Sequence, residues 1–269
     1  MNILKNIKDK QGNITVAIAI IGAALIIAGA VMFTNNSDTP AGPAGQANPS
    51  SDAASNVRPV DDTDWVYGNA ESEITIVEYS DTECPFCSRL HPTLKQVVDE
   101  SEGKVNWVYR HFPLVQLHPI APTVAHATEC VGELGGNDAF WSFTDRVYVE
   151  SGANRGTDLS KLVEYAVEYG VDAEAYNQCM EESRHQTKVE GDFRNGVESG
   201  GTGTPYSIIV LNGEITDDSF EALNLVAQTI NTGAGGDLIN VTSDRTAVSA
   251  SGALGADMWN QIINAVTFK

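Results

Sequence analysis

One short stretch of the chain decides its fold: ITIVEYSDTECPFC, residues 74–87. Its first six residues form a mainly β-branched run, which is typical of a strand, and the turn-forming residues 80–82 end that strand. Residues 88–98 continue with the apolar spacing of a helix. The sequence therefore predicts a strand that passes into a helix, with a Cys-x-x-Cys pair at the point where the helix begins.

Segments on both sides of this stretch extend the pattern to a complete domain. In chain order they predict a strand over 104–112, helices over about 119–198, strands over 207–211 and 247–249, and an amphipathic helix over 258–266. This order of strands and helices predicts an α/β sandwich, and the long helical stretch predicts an all-helical insertion within it.

The N-terminal segment predicts a membrane anchor. Three lysines precede the uncharged apolar run 14–33, which is long enough to cross a bilayer as a helix. No basic residue follows until Arg58, so the positive-inside rule predicts a cytoplasmic tail, 1–13, and a single-pass protein of the cell membrane whose domain is extracytoplasmic. The small residues 28–30 leave a cleaved signal peptide as the alternative, but the apolar run continues through Phe33 and favours an uncleaved signal anchor.

A flexible linker is predicted to join this anchor to the folded domain. Residues 34–61 are rich in Pro, Gly, Ala, Ser and Asn and show no apolar periodicity, so the folded domain is expected over 62–269. The chain carries 16 basic and 36 acidic residues, a formal net charge of -20. Such a charge repels nucleic acid, which excludes nucleic-acid binding, and it is typical of a solvated acidic surface.

Cys84 and Cys87 enclose Pro85 and Phe86 at the predicted start of the helix. A cysteine in the first helical turn lies near unpaired backbone N–H groups and the positive end of the helix dipole, which lower its pKa. Cys84 is therefore the predicted nucleophile, and Cys87, one turn further into the helix, is the predicted resolving thiol. We expect the pair to form a redox-active disulfide that needs no other cofactor and no metal.

Two further positions are candidates for the same site. Glu78 lies six residues before Cys84, on the inward phase of the strand, so we expect a buried carboxylate that relays the proton of Cys87. An acid that faces solvent at the strand end is the alternative. Pro205 precedes a strand in a tight bend and is a candidate cis-proline, with an ordinary turn as the alternative.

The other two cysteines, Cys130 and Cys179, lie in predicted helices of the insertion. In an exported protein such a pair most simply forms a structural disulfide. The alternative is a zinc site made of all four cysteines, but structural zinc usually takes two close pairs, and these two cysteines are isolated. Four other basic side chains near the predicted site receive no catalytic role: His91, Arg110, His111 and His118.

In order and context, these motifs resemble the DsbA-type thiol-disulfide oxidoreductases, and the likeness covers 62–269. Cys-Pro-Phe-Cys is similar to the family's active-site motif, Glu78 falls on its buried acid, and Thr204-Pro205 is similar to its threonine and cis-proline. The resemblance implies a thioredoxin-like fold divided by a helical insertion. It also implies that a substrate thiolate attacks Cys84, forms a mixed disulfide and is released oxidised, while the cis-proline loop pairs with the substrate backbone.

The sequence departs from the family at two places. The dipeptide Pro85-Phe86 replaces the Pro-His of the best-known members, which removes a histidine dipole near the thiolate and leaves the oxidising strength open. Residues 212–246 exceed the short hairpin usual between the last two strands, and we expect an insertion there with one helix near 220–230.

The resemblance further implies partners for the protein. Exported protein thiols would be its substrates, and a quinone-linked membrane protein of the DsbB or VKOR-like type would reoxidise it; we expect a monomer. A membrane-tethered reductase or isomerase of the same fold and a non-redox metal-binding module are the alternatives. An isomerase normally needs a dimerisation domain, for which the segment between Phe33 and Asp62 has no candidate, and Pro205 disfavours metal capture.

Overall fold

A mixed β-sheet forms the centre of the computed structural model, which describes residues 52–152 and 156–269. Its strands are β1 (Trp65–Gly68), β2 (Ile74–Ser80), β3 (Val105–His111), β4 (Tyr206–Leu211), β5 (Ile239–Val241) and β6 (Ala247–Ser251). They lie in the order β1-β3-β2-β4-β6-β5. β2 and β3 are parallel, whereas all other neighbouring strands are antiparallel.

Helices cover both faces of this sheet. In the described ranges they are α1 (Pro85–Glu100), α2 (Ala121–Gly135), α3 (Asn137–Glu150), α4 (Leu162–Glu168), α5 (Ala173–Glu181), α6 (Gln186–Glu198), α7 (Asp217–Ala234) and α8 (Ala256–Asn264), with short 3₁₀ helices at Ala53–Asn56 and Leu159–Lys161. Apolar side chains of α1, α7 and α8 share one core with the sheet, and α6 contacts β2 and β3 on the opposite face.

The predicted passage from strand to helix is confirmed. Every residue of β2 is buried, because the strand lies in the middle of the sheet between two helical layers. Side chains alternate between the faces of a strand, so Ile76 and Glu78 point toward the core under α1, while Val77 contributes to the core on the other face. α1 begins at Pro85, whose missing N–H would have no partner in a first helical turn, and continues through Pro92.

The all-helical insertion is also confirmed. Five helices, α2 to α6, fill the chain between β3 and β4, close to the range of about 119–198 that the sequence predicts. They have an apolar core of their own, to which Phe143, Val147 and Tyr165 contribute. The insertion is therefore a second packing unit built onto the side of the sheet.

The prediction of a flexible linker as far as residue 61 is wrong for its last ten residues. Ala54, in the first 3₁₀ helix, is 1% exposed and packs against the sheet. Arg58 forms salt bridges with Asp64 and Asp192. The sequence shows no apolar periodicity here because one small side chain and a charged network, rather than an apolar helix face, hold the segment in place.

The other N-terminal predictions lie outside the described residues. These are the tail 1–13, the membrane anchor 14–33 and the first part of the linker, 34–51. Within 52–152 and 156–269, no helix is both long enough and apolar enough to span a bilayer.

The sequence did not predict two of the strands, and both lie at an edge of the sheet. β1 has four residues and β5 has three, too short to show an alternation of apolar and polar side chains. β5 lies in the predicted insertion 212–246, where the single expected helix is present but longer, as α7. The extra residues therefore add an edge strand and a helix that packs on the core.

Candidate active site

Cys84 and Cys87 lie at the start of α1 and are both free thiols. Cys84 is the N-cap residue of the helix, and its carbonyl accepts the first helical hydrogen bond, from the N–H of Ser88 at 3.0 Å. Cys84 is 4% exposed and Cys87 is fully buried. The two thiols thus differ in access, with Cys84 nearer the surface.

The surroundings of Cys84 favour its thiolate. A hydrogen bond from Cys87 lowers its pKa to about 5, against the opposing effect of burial. The side chain of Thr204 and the backbone N–H groups of Cys87 and Phe86 lower it further. Because this pKa is about two units below neutral pH, Cys84 is almost fully ionised there.

Cys87 is perturbed in the opposite direction. Burial raises its pKa well above the ordinary value, and the thiolate of Cys84 and the charge of Glu78 raise it further. The backbone N–H of Asp81 points at the Cys87 sulfur, 3.5 Å away. The outer thiol of the pair is therefore charged, while the inner one keeps its proton.

Glu78 lies fully buried in β2, not at a solvent-facing strand end. Burial raises the pKa of its carboxyl to about 8, although the hydrogen bond from Ser80 and the nearby indole of Trp107 oppose the shift. The Ser80 hydroxyl donates to Glu78 Oε1 at 2.7 Å. A carboxyl with a pKa near neutral pH can both donate and accept a proton under the conditions in which thiols exchange.

The loop before β4 closes the site on the other side. Its Thr204-Pro205 peptide bond is cis, and the Thr204 carbonyl lies 3.5 Å from Cys84 Sγ. The carbonyl of Pro205 accepts a hydrogen bond from the N–H of Gly252 at 2.9 Å. This bond ties the loop to the end of β6 and keeps it beside the thiol.

Cys130 and Cys179 form a disulfide between α2 and α5, with their Cα atoms 5.9 Å apart. Both are fully buried in the core of the insertion. The four-cysteine zinc site is therefore not formed, because these sulfurs are bonded to each other. The two clusters of metal-ligating side chain types in the described residues both include Cys179, whose sulfur is occupied by the disulfide.

Two acids that the sequence analysis missed fix the backbone before Cys84. Asp81 Oδ1 accepts from the N–H of Glu83 at 2.8 Å, and its Oδ2 accepts from the N–H of Leu114 at 2.8 Å and lies 2.9 Å from His118 Nδ1. The carboxylate of Glu83 accepts hydrogen bonds from the backbone N–H and the hydroxyl of Thr157. An acid in a turn signals only local capping in a sequence, so these long-range partners could not be foreseen.

Three of the other basic side chains have structural partners. His91 Nε2 lies 2.6 Å from Asp145 Oδ1. Arg110 is fully buried and binds Asp64 through two nitrogens, and His111 lies 3.0 Å from Glu129. Each partner lies in another segment of the chain, so these side chains join elements of the fold.

A cleft of about 390 Å³ lies between the start of α1 and the end of β6. Phe86, half exposed, lies on its wall with Arg89, whose guanidinium is 4.7 Å from the Phe86 ring centroid. Gly252, which holds the cis-proline loop, is on the opposite wall. The cleft therefore lies between a residue of the Cys-x-x-Cys motif and the residue that holds the cis-proline loop.

The chain combines a thioredoxin-like α/β fold with a close pair of cysteines at the start of a helix. This combination is the fold of thiol-disulfide oxidoreductases. A family model described as Thioredoxin matches residues 60–228, more than half of the chain. The chain belongs to this thioredoxin family.

Solved structures support the DsbA type within it. Pseudomonas aeruginosa DsbA2 is similar at 27% identity, with a TM-score of 0.54 over 74% of this chain and 92% of that one. Two others share the fold: Wolbachia pipientis alpha-DsbA1 (20% identity, TM-score 0.56, 79% and 94% covered) and a thioredoxin-like oxidoreductase from Silicibacter pomeroyi DSS-3 (20% identity, TM-score 0.53, 81% and 96% covered).

Curated relatives match only a part of their own length. Na(+)/H(+) antiporter NhaA 1 of Salinispora arenicola is 32% identical over 148 residues, which are 55% of this chain and 22% of that protein. The protein of the same name from Mycolicibacterium gilvum is 34% identical over 134 residues, 49% and 20% of the two chains. The chain spans about a fifth of the length of these relatives, which are therefore much longer proteins.

Proposed function

We propose that this protein introduces disulfide bonds into exported proteins by dithiol–disulfide exchange through Cys84 and Cys87. The observation that carries the proposal is the placement of the two thiols: Cys84 lies at the N-cap of α1 beside the Thr204 carbonyl, and Cys87 is fully buried. In these positions hydrogen bonding lowers the pKa of Cys84 to about 5, while burial raises that of Cys87. A stabilised thiolate favours the reduced dithiol, and a disulfide whose reduced form is stabilised is an oxidant.

The proposed reaction moves two electrons from substrate to protein. A substrate thiolate attacks Sγ of Cys84, the Cys84–Cys87 bond breaks, and Cys87 leaves with the electron pair and takes up a proton. A second substrate thiolate then attacks the substrate sulfur of the mixed disulfide, and Cys84 leaves as its stable thiolate. The substrate gains a disulfide, and the protein holds the dithiol.

Two groups beside the pair have roles in this scheme, a buried acid and a loop. Glu78 supplies the proton that Cys87 takes up, which its burial and its pKa of about 8 support. The cis Thr204-Pro205 loop, whose carbonyl lies next to Cys84, aligns the substrate backbone. Within this loop, the side chain of Thr204 also stabilises the leaving thiolate of Cys84.

The proposal extends to the protein's location and partners. Residues 14–33 anchor it in the cell membrane, with the tail 1–13 in the cytoplasm and the catalytic domain outside, where exported thiols are its substrates. A quinone-linked membrane partner of the DsbB or VKOR-like type removes the electrons from the dithiol, and the protein acts as a monomer. The lysine asymmetry and the apolar run of the sequence support the topology.

The test is the redox equilibrium of the full chain against glutathione, with Cys84→Ser as the control. We expect a potential well above the roughly -270 mV of thioredoxin, in the range of disulfide-forming proteins. A potential at or below that value would overturn the oxidase in favour of a membrane-tethered reductant on the same scaffold. Binding of zinc by the reduced pair, detected with a chromogenic chelator, would instead favour the metal-binding alternative.

A further inference from the structure

A chain of buried hydroxyl groups leads away from Glu78. The Ser80 hydroxyl donates to Glu78 Oε1 at 2.7 Å and lies 2.8 Å from the hydroxyl of Tyr148, which in turn lies 3.0 Å from that of Tyr109. None of these four residues is more than 5% exposed. The carboxyl of Glu78 is thus connected, through the Ser80 hydroxyl, to a side chain of the helical insertion.

Such a chain can carry a proton because each hydroxyl both donates and accepts. When Glu78 is ionised, Ser80 donates to it and Tyr148 donates to Ser80. When Glu78 is protonated, it can donate to Ser80, and the direction of the bonds reverses. The two protonation states of Glu78 therefore correspond to two orientations of one hydrogen-bond chain, and neither leaves a buried hydroxyl of this chain without its partner.

One residue of the chain borders a cleft that opens to solvent. Tyr148 lies on the wall of a cleft of about 580 Å³ between α1 and α3, which is large enough to hold water. The same cleft is lined by Asp145, His91 and Lys95, and Asp145 bonds both of the other two. Proton donors and acceptors thus line the cleft that Tyr148 borders.

We propose that Ser80 and Tyr148 conduct protons between Glu78 and this cleft during disulfide exchange, which makes them positioning residues of the reaction. The inference rests on the proposed function, since it concerns the proton that Cys87 takes up. When Cys87 leaves as a thiolate, Glu78 gives it a proton. Tyr148 and Ser80 then return one proton to Glu78, and water in the cleft replaces it, so that the substrate thiols are the only source of electrons.

The experiment follows the reaction of the oxidised full chain with excess dithiothreitol by stopped-flow tryptophan fluorescence, in H₂O and in D₂O. We expect Tyr148→Phe and Ser80→Ala each to slow the reaction at least about tenfold and to increase the solvent isotope effect. Positioned proton transfer contributes about 10² to 10⁴ in rate, and part of this is kept because Glu78, the direct proton donor, is still present. The redox potential should not change, since Cys84 and its neighbours are intact. The double variant should be no slower than the slower single variant, because both residues lie on one path.

Tyr176→Phe is the matched control, since Tyr176 is a buried tyrosine in the core of the insertion. It should react at the wild-type rate. A Tyr148→Phe protein with the wild-type rate and isotope effect would overturn the inference, and so would a slow one with a shifted potential, which would indicate a structural role. Should Ser80→Ala fail to fold, Tyr148→Phe decides alone. A wild-type protein that does not react with dithiothreitol at all overturns the proposed function instead. That outcome differs from a failure of this inference, in which the wild-type protein reacts and Tyr148→Phe reacts equally fast.

Discussion

Both cysteine pairs of this protein are almost completely buried, yet their surroundings differ. Cys84 and Cys87 are 4% and 0% exposed, and Cys130 and Cys179 are both 0% exposed. The first pair lies at a helix start beside a peptide carbonyl and above a buried acid. The second joins two helices inside an apolar core. Burial alone therefore does not distinguish a structural disulfide from a reactive pair.

The difference between the pairs lies in the polar groups that can reach each sulfur. Backbone N–H groups of the first helical turn and the side chain of Thr204 stabilise a thiolate at Cys84, and the buried carboxyl of Glu78 lies close enough to Cys87 to affect its pKa. The core around Cys130 and Cys179 is formed mainly by aliphatic and aromatic side chains. The carboxylate of Glu133, whose Oε2 lies 3.6 Å from Cys179 Sγ, would repel a thiolate there rather than stabilise it. A pair that can hold a charge exchanges readily, whereas one that cannot remains a crosslink.

The assignment of Cys84 and Cys87 as the reactive pair can be tested by substituting each pair in turn. We expect Cys84→Ser to abolish oxidation of a model dithiol peptide, a loss of at least roughly a thousandfold, because the attacked sulfur is gone. The double variant Cys130→Ala/Cys179→Ala should keep the wild-type rate. Peptide oxidation followed by mass spectrometry measures both. Activity that survives Cys84→Ser but disappears in the double variant would reverse the assignment.

The second disulfide should act on stability instead. It closes a loop of 49 positions, and the chain-entropy model assigns such a loop about 4 kcal/mol of unfolding free energy, within the usual range of about 0 to 5. Cys130→Ala/Cys179→Ala should therefore lower the free energy of unfolding in urea by about 2–4 kcal/mol and leave the redox potential unchanged. An altered potential would show that the insertion and the thiols are coupled.

The sequence predicted the parts of the fold that depend on local pattern. The β-branched run before Cys84, the helical spacing after it and the long helical stretch each appear in the structure at nearly the expected residues. The alternation of side chains along a strand favoured a buried Glu78 over one that faces solvent, and the structure shows it fully buried. Features of this kind are set by neighbouring residues in the chain, so they can be predicted from the sequence alone.

Other features depend on partners far apart in the chain. Arg110 occupies a buried position because Asp64 and the carbonyls of Arg58 and Pro59 surround it, and nothing in the sequence pattern around residue 110 indicates those partners. The same holds for Ser80, whose hydroxyl bonds Tyr148 across 68 positions. Only the structure therefore shows the hydrogen bonds that join these distant segments of the chain.

The reactive pair also differs from the structural disulfide in its effect on stability, because the buried acid beneath it, Glu78, lowers the free energy of unfolding. Its carboxyl has a pKa of about 8 in the folded protein and an ordinary value of 4.5. The unfolded chain therefore binds fewer protons between these values, and folding stability falls as pH rises from about 4.5 to 8. Glu78→Gln should raise the free energy of unfolding by on the order of 2–3 kcal/mol at pH 7 and leave it unchanged at pH 4.

Urea unfolding at the two pH values measures this gain, with the exposed Glu221→Gln as the matched control. The control removes the same type of charge from the surface of α7 and should change stability by no more than about 0.5 kcal/mol at either pH. A Glu78→Gln protein that is less stable than wild type at pH 7 would mean that the carboxylate is ionised and paired in the native state.

The smallest effect is expected at Phe86, the residue that separates this pair from the best-known Pro-His motif. Phe86→His places a donor and a partial positive charge near the Cys84 thiolate, which should lower its pKa further and raise the redox potential by no more than about 30 mV, a tenfold change in the equilibrium constant. The effect is small because Phe86 is 51% exposed, so water and salt screen the added charge. Phe86→Leu, which loses the ring without adding a dipole, is the control in the glutathione equilibrium. Equal shifts in both variants would trace the change to the lost aromatic contact with Arg89, whereas a shift confined to Phe86→His would show that electrostatics at the helix start sets the potential of the reactive pair.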